Sequence, residues 1–350
     1  MKKITLAAAS LGIAATTAQA GEIQRAPDVS QILYENGKTY LEFSASVVTP
    51  DVRASSSALG AAGSGNMTAR FQNYAVGFKQ QVNEKLTYAI VANQPYGANV
   101  DYAPATGYPF AGSNAELDVF ATTGYLKYQF DENFSAYGGL RVQGMKGNLN
   151  ITFPIAYALN VDYDWQMGYV IGGAYERRDI ALKVALTYES EIEHGFSDNT
   201  GTPFEVKTPQ AVTLHVQSGI AAATLLFGSI RWQEWTEFQI APQDFTPGAI
   251  ALGRSDIWSY EIGVGRRFNE NWSGALTLGY EEDQDDIVGN LSGKDGYVSY
   301  GVGVSYATES WELSTGVRYI ALGDAVSQGI NGNFTSNDAI AVGMKLGFRF

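Results

Sequence analysis

Residues 338 to 350 read "DAIAVGMKLGFRF". Ile340, Val342, Met344, Leu346, Phe348 and Phe350 fall on one side of an extended chain. Ala341, Gly343, Lys345, Gly347 and Arg349 fall on the other. Successive side chains of a strand point to opposite faces, so this period of two predicts a strand with one greasy and one polar face. Residues 311 to 321 repeat it, with Trp311, Leu313, Val317 and Tyr319 opposed to Glu312, Ser314, Gly316 and Arg318. So do residues 298 to 306, where Val298, Tyr300, Val302, Val304 and Tyr306 oppose Ser299, Gly301, Gly303 and Ser305.

A soluble sandwich also alternates, but its inner face is apolar. Here the polar face is rich in Gly and Ser, and aromatics gather at strand ends: Trp258 with Phe268, Trp272 with Tyr280, Trp311 with Tyr319. Aromatic girdles flanking an aliphatic band mark transmembrane barrels. The connections fall into two sets. Tight polar turns lie at 83–85, 131–133, 177–179, 269–271 and 308–310, with one more near Ser218. Long ones span roughly 51–70, 103–115, 147–162, 193–208, 241–254, 283–295 and 324–337. Six short and seven long connections predict an all-β, antiparallel transmembrane barrel of about fourteen strands, short turns on the periplasmic side.

The N-terminus is set apart. Lys2 and Lys3, the apolar run Ile4 to Ala15 and the small residues Ala18-Gln19-Ala20 have the layout of a secretory signal peptide over 1–20. Its removal takes two of 23 basic residues and leaves 21 against 36 acidic, a net −15. That balance argues against nucleic acid as a partner. No cysteine occurs, and no later run reaches the length of an apolar membrane helix. No linker or low-complexity tract divides the rest, which reads as one domain.

Residues that could carry chemistry are few. His194 and His215 are the only histidines, and His215 and Ser218, three apart in a strand, take opposite faces. No phosphate-cradling loop or metal-ligand spacing appears, so no cofactor or metal is expected and an enzyme is disfavoured. "EEDQDD", Glu281 to Asp286, reads as a solvated loop or as a cation bridge to lipopolysaccharide; it lacks the glycine of a calcium loop. In "IRWQEWTEF" a regular strand would send one of Trp232 and Trp235 into the lumen, whereas a bulge would return both to the lipid interface. "LTYAIVANQPYGANVDY", residues 86 to 102, starts as a strand and meets Pro95 and Gly97. Proline cannot donate to a ladder and glycine packs nothing. The strand has either ended there or been broken.

With these stretches in hand, the chain resembles the FadL family of long-chain fatty acid transporters of Gram-negative outer membranes. "VVTPDV" (47–52), the third strand with Tyr96-Gly97 on its break, and "PQAVTLHVQSGIAAATLLFGSIRWQEWTEF" (209–238) carry the likeness. The resemblance implies a fourteen-stranded barrel (38–350) closed from inside by an N-terminal plug, here only the short segment 21–37. Val29-Ser30-Gln31 stand where the family has Asn-Pro-Ala. It implies passive uptake of fatty acids or other hydrophobic molecules, with lateral exit through the third strand at Pro95, Tyr96 and Gly97. Lys146 falls near one of the family's carboxylate partners, and Pro242 replaces the other. Phe153, Ile155 and Tyr157 would form a greasy landing loop, and Trp235 a lumenal ligand contact. Outer-membrane lipid and lipopolysaccharide would be its surroundings. A polar diffusion porin is the alternative, suggested by the short plug and Gly/Ser lumen; a barrel lipid hydrolase stands behind it.

Overall fold

The computed structural model of the chain describes residues 23–25, 28–284 and 287–350. The expected signal peptide, residues 21–22 and 26–27 of the N-terminal segment, and Asp285–Asp286 of the acidic loop lie outside the described residues.

Fourteen antiparallel wall strands close on themselves. They are β1 (Thr39–Asp51), β2 (Phe71–Gln81), β3 in two pieces (Leu86–Asn93 and Gly97–Asp101), β4 (Asn114–Gln129), β5 (Phe134–Ile151), β6 (Tyr157–Arg177) and β7 (Leu182–Glu189). The circuit continues with β8 (Ala211–Ala221), β9 (Thr224–Gln233), β10 (Ile257–Arg267), β11 (Trp272–Glu281), β12 (Tyr297–Ala307), β13 (Trp311–Leu322) and β14 (Asp338–Arg349). Each pairs with its chain neighbours, and β14 returns to β1 with Val47 opposite Val342. Closure leaves no free edge apart from one short gap between β2 and β3, as hydrocarbon requires because it cannot satisfy backbone N–H and C=O groups.

The alternation sorts the faces as read. Leu126, Leu140, Leu276 and Val302 are more than half exposed, on a face that water would not tolerate and hydrocarbon does. Ala339 and Ala341 of the last strand are buried while Ile340, Val342 and Met344 point out. Trp272, Tyr306 and Trp311 pack in sequence at the short-turn end, edge-on and then tilted, with ring centroids 5.0 and 5.5 Å apart. Trp232 lies opposite Trp258 across β9 and β10 at the other end.

The long connections are more ordered than loops. The segment read as a loop at 147–162 is mostly strand, since β5 runs to Ile151 and β6 begins at Tyr157. Its pattern inverts above the greasy band: Leu149, Ile151 and Leu159 turn inward, while Asn148, Asn150 and Asn160 face out. The connection after β7 is a hairpin, Ile192–Ser197 with Pro203–Thr208. Four short strands, Ala54–Ser56, Ile287–Val288, Ala325–Ser327 and Asn333–Phe334, form a small sheet among the long connections. Together these elements fill the long-loop half of the barrel with an apolar cluster that includes Met145, Leu149, Phe196, Phe204, Phe238 and Phe334.

Candidate functional site

The third strand is broken in the wall. Its first piece pairs with β2 up to Ala92 opposite Val76, and no rung joins β3 to Phe71–Ala75 of β2 beyond that. On its other side both pieces pair with β4, but the register slips. Asn93 lies opposite Ala121 and Gly97 opposite Asp118, so three residues, 94 to 96, oppose two. Pro95 has no N–H to offer, and the extra residue bends the chain inward, as a bulge does.

Residues 23–25 meet the bend from inside the barrel. The Arg25 N–H donates to the Pro95 carbonyl at 2.9 Å, and the Gly97 N–H donates to the Ile23 carbonyl at 2.7 Å. Gln24 and Tyr96 form the bridge between them. Tyr96 is buried and meets Trp235 edge-on, centroids 6.1 Å apart. Trp235 sits in a 3₁₀ turn, Trp235–Glu237, just past the end of β9, and is buried against Phe238. Trp232, in contrast, stays in the wall.

On the long-loop side of Tyr96 lies a greasy chamber of about 80 Å³. Leu117, Met145, Leu149, Phe196, Phe204 and Phe238 line it, together with Ala98 and Val100 of the broken strand. Among the described residues no Lys, Arg or His lines it, and Glu116 is the one charged residue that does. A second cavity of about 70 Å³ shares Ala98, Val100 and Leu291 with it and reaches Arg25 and Phe71 at the break.

Below the chamber the lumen turns ionic. Glu189 of β7 accepts from Arg141 of β5 at 2.5 Å and from Arg231 of β9 at 2.6 Å, all three buried. Arg231 also donates to Thr213 at 2.6 Å, and Arg141 to Thr123 at 3.1 Å. Next comes Asp28 of the N-terminal segment. It accepts from the Ser30 hydroxyl at 2.6 Å and Thr187 at 3.0 Å, and lies 3.4 Å from His215. Burial pushes the Asp28 carboxyl up, but the hydrogen bond and charge of His215 and the Ser30 donors outweigh it and hold it well below the usual carboxylate range. A polar cavity of about 770 Å³ opens beyond, lined by Lys79, Lys127, Lys183, Glu176 and Glu261. There the Tyr34 ring takes Lys127 at 4.3 Å and Lys183 at 4.7 Å.

The residues singled out from sequence separate into two places. Tyr96, Gly97 and Trp235 meet at the break, beside Pro95. Phe153 packs on Phe110 at 5.7 Å, and Tyr157 donates to Asp244 at 2.6 Å and packs tilted on Phe245, so both cover the apolar cluster around the chamber without lining it. Ile155 is exposed at the hairpin tip. Lys146 joins neither group; it lies half exposed, 3.3 Å from Asp118 and 5.2 Å from the ring of the exposed Tyr163. Sequence reading missed Arg141, Glu189 and Arg231, although lone charges on the glycine-rich inner face were a visible signal. It also missed Arg25, for which the sequence holds none.

No protein-family model matches this chain, and no curated protein matches it. Solved structures do. A FadL homologue from Pseudomonas aeruginosa aligns with a TM-score of 0.70 at 12% identity, over 89% of this chain and 90% of that one. This chain has the FadL fold. The Pseudomonas putida toluene transporter TodX aligns at 0.67 with 11% identity, over 96% of this chain and 98% of that one. The Ralstonia pickettii toluene transporter TbuX aligns at 0.63 with 12% identity, over 91% and 90%. At these identities what is shared is the architecture, so the FadL fold here is filled with this chain's own chamber, ionic layer and break.

Proposed function

We propose that this protein is a FadL-type channel of a Gram-negative outer membrane, its short turns and N-terminal segment on the periplasmic side. It takes up small uncharged hydrophobic molecules passively and releases them sideways through the break in β3. The observation that carries this reading is a greasy chamber that ends on an ionic layer while the wall beside it is interrupted. A straight path would drag hydrocarbon through the Arg141–Glu189–Arg231 cluster, and parting a buried ion pair costs about 3–5 kcal/mol. A sideways path gains roughly 0.8 kcal/mol for each methylene that leaves water for lipid.

The described lining holds a carboxylate, Glu116, and no cation, which supports an uncharged ligand over a fatty acid. Lys146, which the family resemblance offers to a carboxylate, is engaged with Asp118 instead. The named activity of TodX and TbuX, toluene transport, points the same way by analogy of fold.

The test is to mend the strand. Deleting Gln94 removes the one-residue slip against β4, and Pro95→Val restores the missing donor. Cells producing this double variant should take up radiolabelled toluene at least about tenfold more slowly, since mending closes the bulge-dependent opening. Unchanged uptake would remove sideways release from the proposal.

A further inference from the structure

Between Phe71–Ala75 of β2 and the bend of β3 the wall has no ladder, yet the space is filled. The Arg25 guanidinium lies there, 4.7 Å from the centre of the Phe71 ring. It is packed so closely under Gly97 that a methyl group at that position would come within 2.4 Å of the guanidinium carbon. Arg25 is 5% exposed, and its Nε finds no acceptor. Its own N–H and the Ile23 carbonyl hold the backbone groups of the bend at Pro95 and Gly97, while the Gln94 side chain accepts from the Tyr74 N–H of β2 at 3.1 Å. Residues 23–25 thus stand in for the missing rungs, and the Arg25 side chain occupies the opening itself.

The geometry points to Arg25 as the shutter of the side opening, the residue whose displacement sets how readily a ligand leaves. The inference rests on the sideways release proposed above. Ala98 and Val100 belong both to the chamber and to the small cavity that reaches Arg25, so a molecule moving along β3 toward the break meets the guanidinium next. A hydrocarbon offers the guanidinium no hydrogen bond and must push it aside. An apolar side chain in that place would seal the gap as part of the wall. The cation lies on one aromatic face with Asp118 and Glu116 attracting it from nearby, but its Nε donor is left unmade, and a buried unsatisfied donor costs free energy, so the seat is weaker than a fully bonded one. Glycine at 97 is required for the closed state, since any larger residue takes the guanidinium's space.

The experiment separates this inference from the function on which it rests. Ala98→Cys is introduced into the full mature protein, reconstituted in liposomes, and labelled by a bilayer-soluble maleimide. With Arg25→Ala added, labelling should speed up about tenfold, the order set by loss of one desolvated cation–π contact. Arg25→Lys should fall between, because an ammonium keeps the charge and loses the planar fit. Gly97→Ala should speed labelling without touching Arg25, and adding it to Arg25→Ala should change little. Equal labelling rates with and without Arg25 overturn the shutter, whatever the protein transports. Radiolabelled toluene uptake by cells producing each variant reads the function. Faster labelling with no toluene uptake by any variant keeps the shutter and removes the toluene-channel reading.

Discussion

Glu189 is the shared anion of the buried cluster. It pairs with Arg141 through one oxygen and Arg231 through the other, so both guanidinium groups lean on a single carboxylate. Replacing it by glutamine leaves an excess of buried positive charge, and Glu189→Gln should destabilise the barrel by about 3–5 kcal/mol in urea unfolding from lipid. Asp28 makes a different prediction because its carboxyl is held below its ordinary range. A group depressed on folding contributes stability that is in full above its unfolded value and is lost progressively as pH falls from there through the folded one. Docking of the N-terminal segment, followed by protease accessibility, should therefore hold at neutral pH and weaken progressively as pH falls below about 4, the unfolded aspartate value. Asp28→Asn should loosen the segment at neutral pH; an equally protected segment in that variant would show that Asp28 does not anchor it. At this scale the sequence disclosed Pro95 and Gly97 as a break or an end, and the structure decided for the break. Lys146 was legible as a charge but not as a partner, because Asp118, which holds it, lies on the neighbouring strand in a register that only pairing sets.

At the scale of elements, the wall strands were legible nearly residue by residue, since the bilayer forces an apolar outward face on each. The exception teaches why. The hairpin of β5 and β6 rises beyond the greasy band, where the outward face meets a polar medium and the inward face closes the chamber. Its alternation inverts, and a rule tuned to greasy-outward strands reads it as a loop. The hairpin Ile192–Ser197 with Pro203–Thr208 was hidden for a related reason: its apolar residues Phe196 and Phe204 serve the lumen, not the membrane. A carboxylate at Phe204 would enter the chamber wall unpaired, at a cost of several kcal/mol or a raised pKa. Phe204→Glu should lower toluene uptake by at least about tenfold, the discrimination expected from a buried unpaired charge, while heat-modifiable mobility on gels shows the barrel intact. Normal uptake by that variant would place the ligand path elsewhere.

At the scale of the whole molecule, closure, the apolar filling of one half and the ionic layer across the middle act together. A general polar pore would offer ions a continuous wet path, whereas here the 770 Å³ polar cavity reaches His215, with the buried Asp28 3.4 Å behind it and the buried Arg–Glu–Arg cluster outside its lining. In planar bilayers the protein should therefore show no large steady conductance; sustained opening to salt would favour the porin reading. Replacing Arg141, Glu189 and Arg231 together by alanine should open that path and raise conductance, provided the N-terminal segment also yields.

The sequence by itself determined the barrel: a period of two, aromatic strand ends and two classes of connection specify strand number and which face meets lipid. Each of those is a local property, written in residues a few positions apart and imposed by the hydrocarbon on every strand alike. Tertiary structure alone decided what meets across the lumen: Tyr96 with Trp235, Glu189 with two arginines, Arg25 in the gap beside Gly97. Those contacts join residues many strands apart, and their partners are chosen by closure and register, which no single strand encodes.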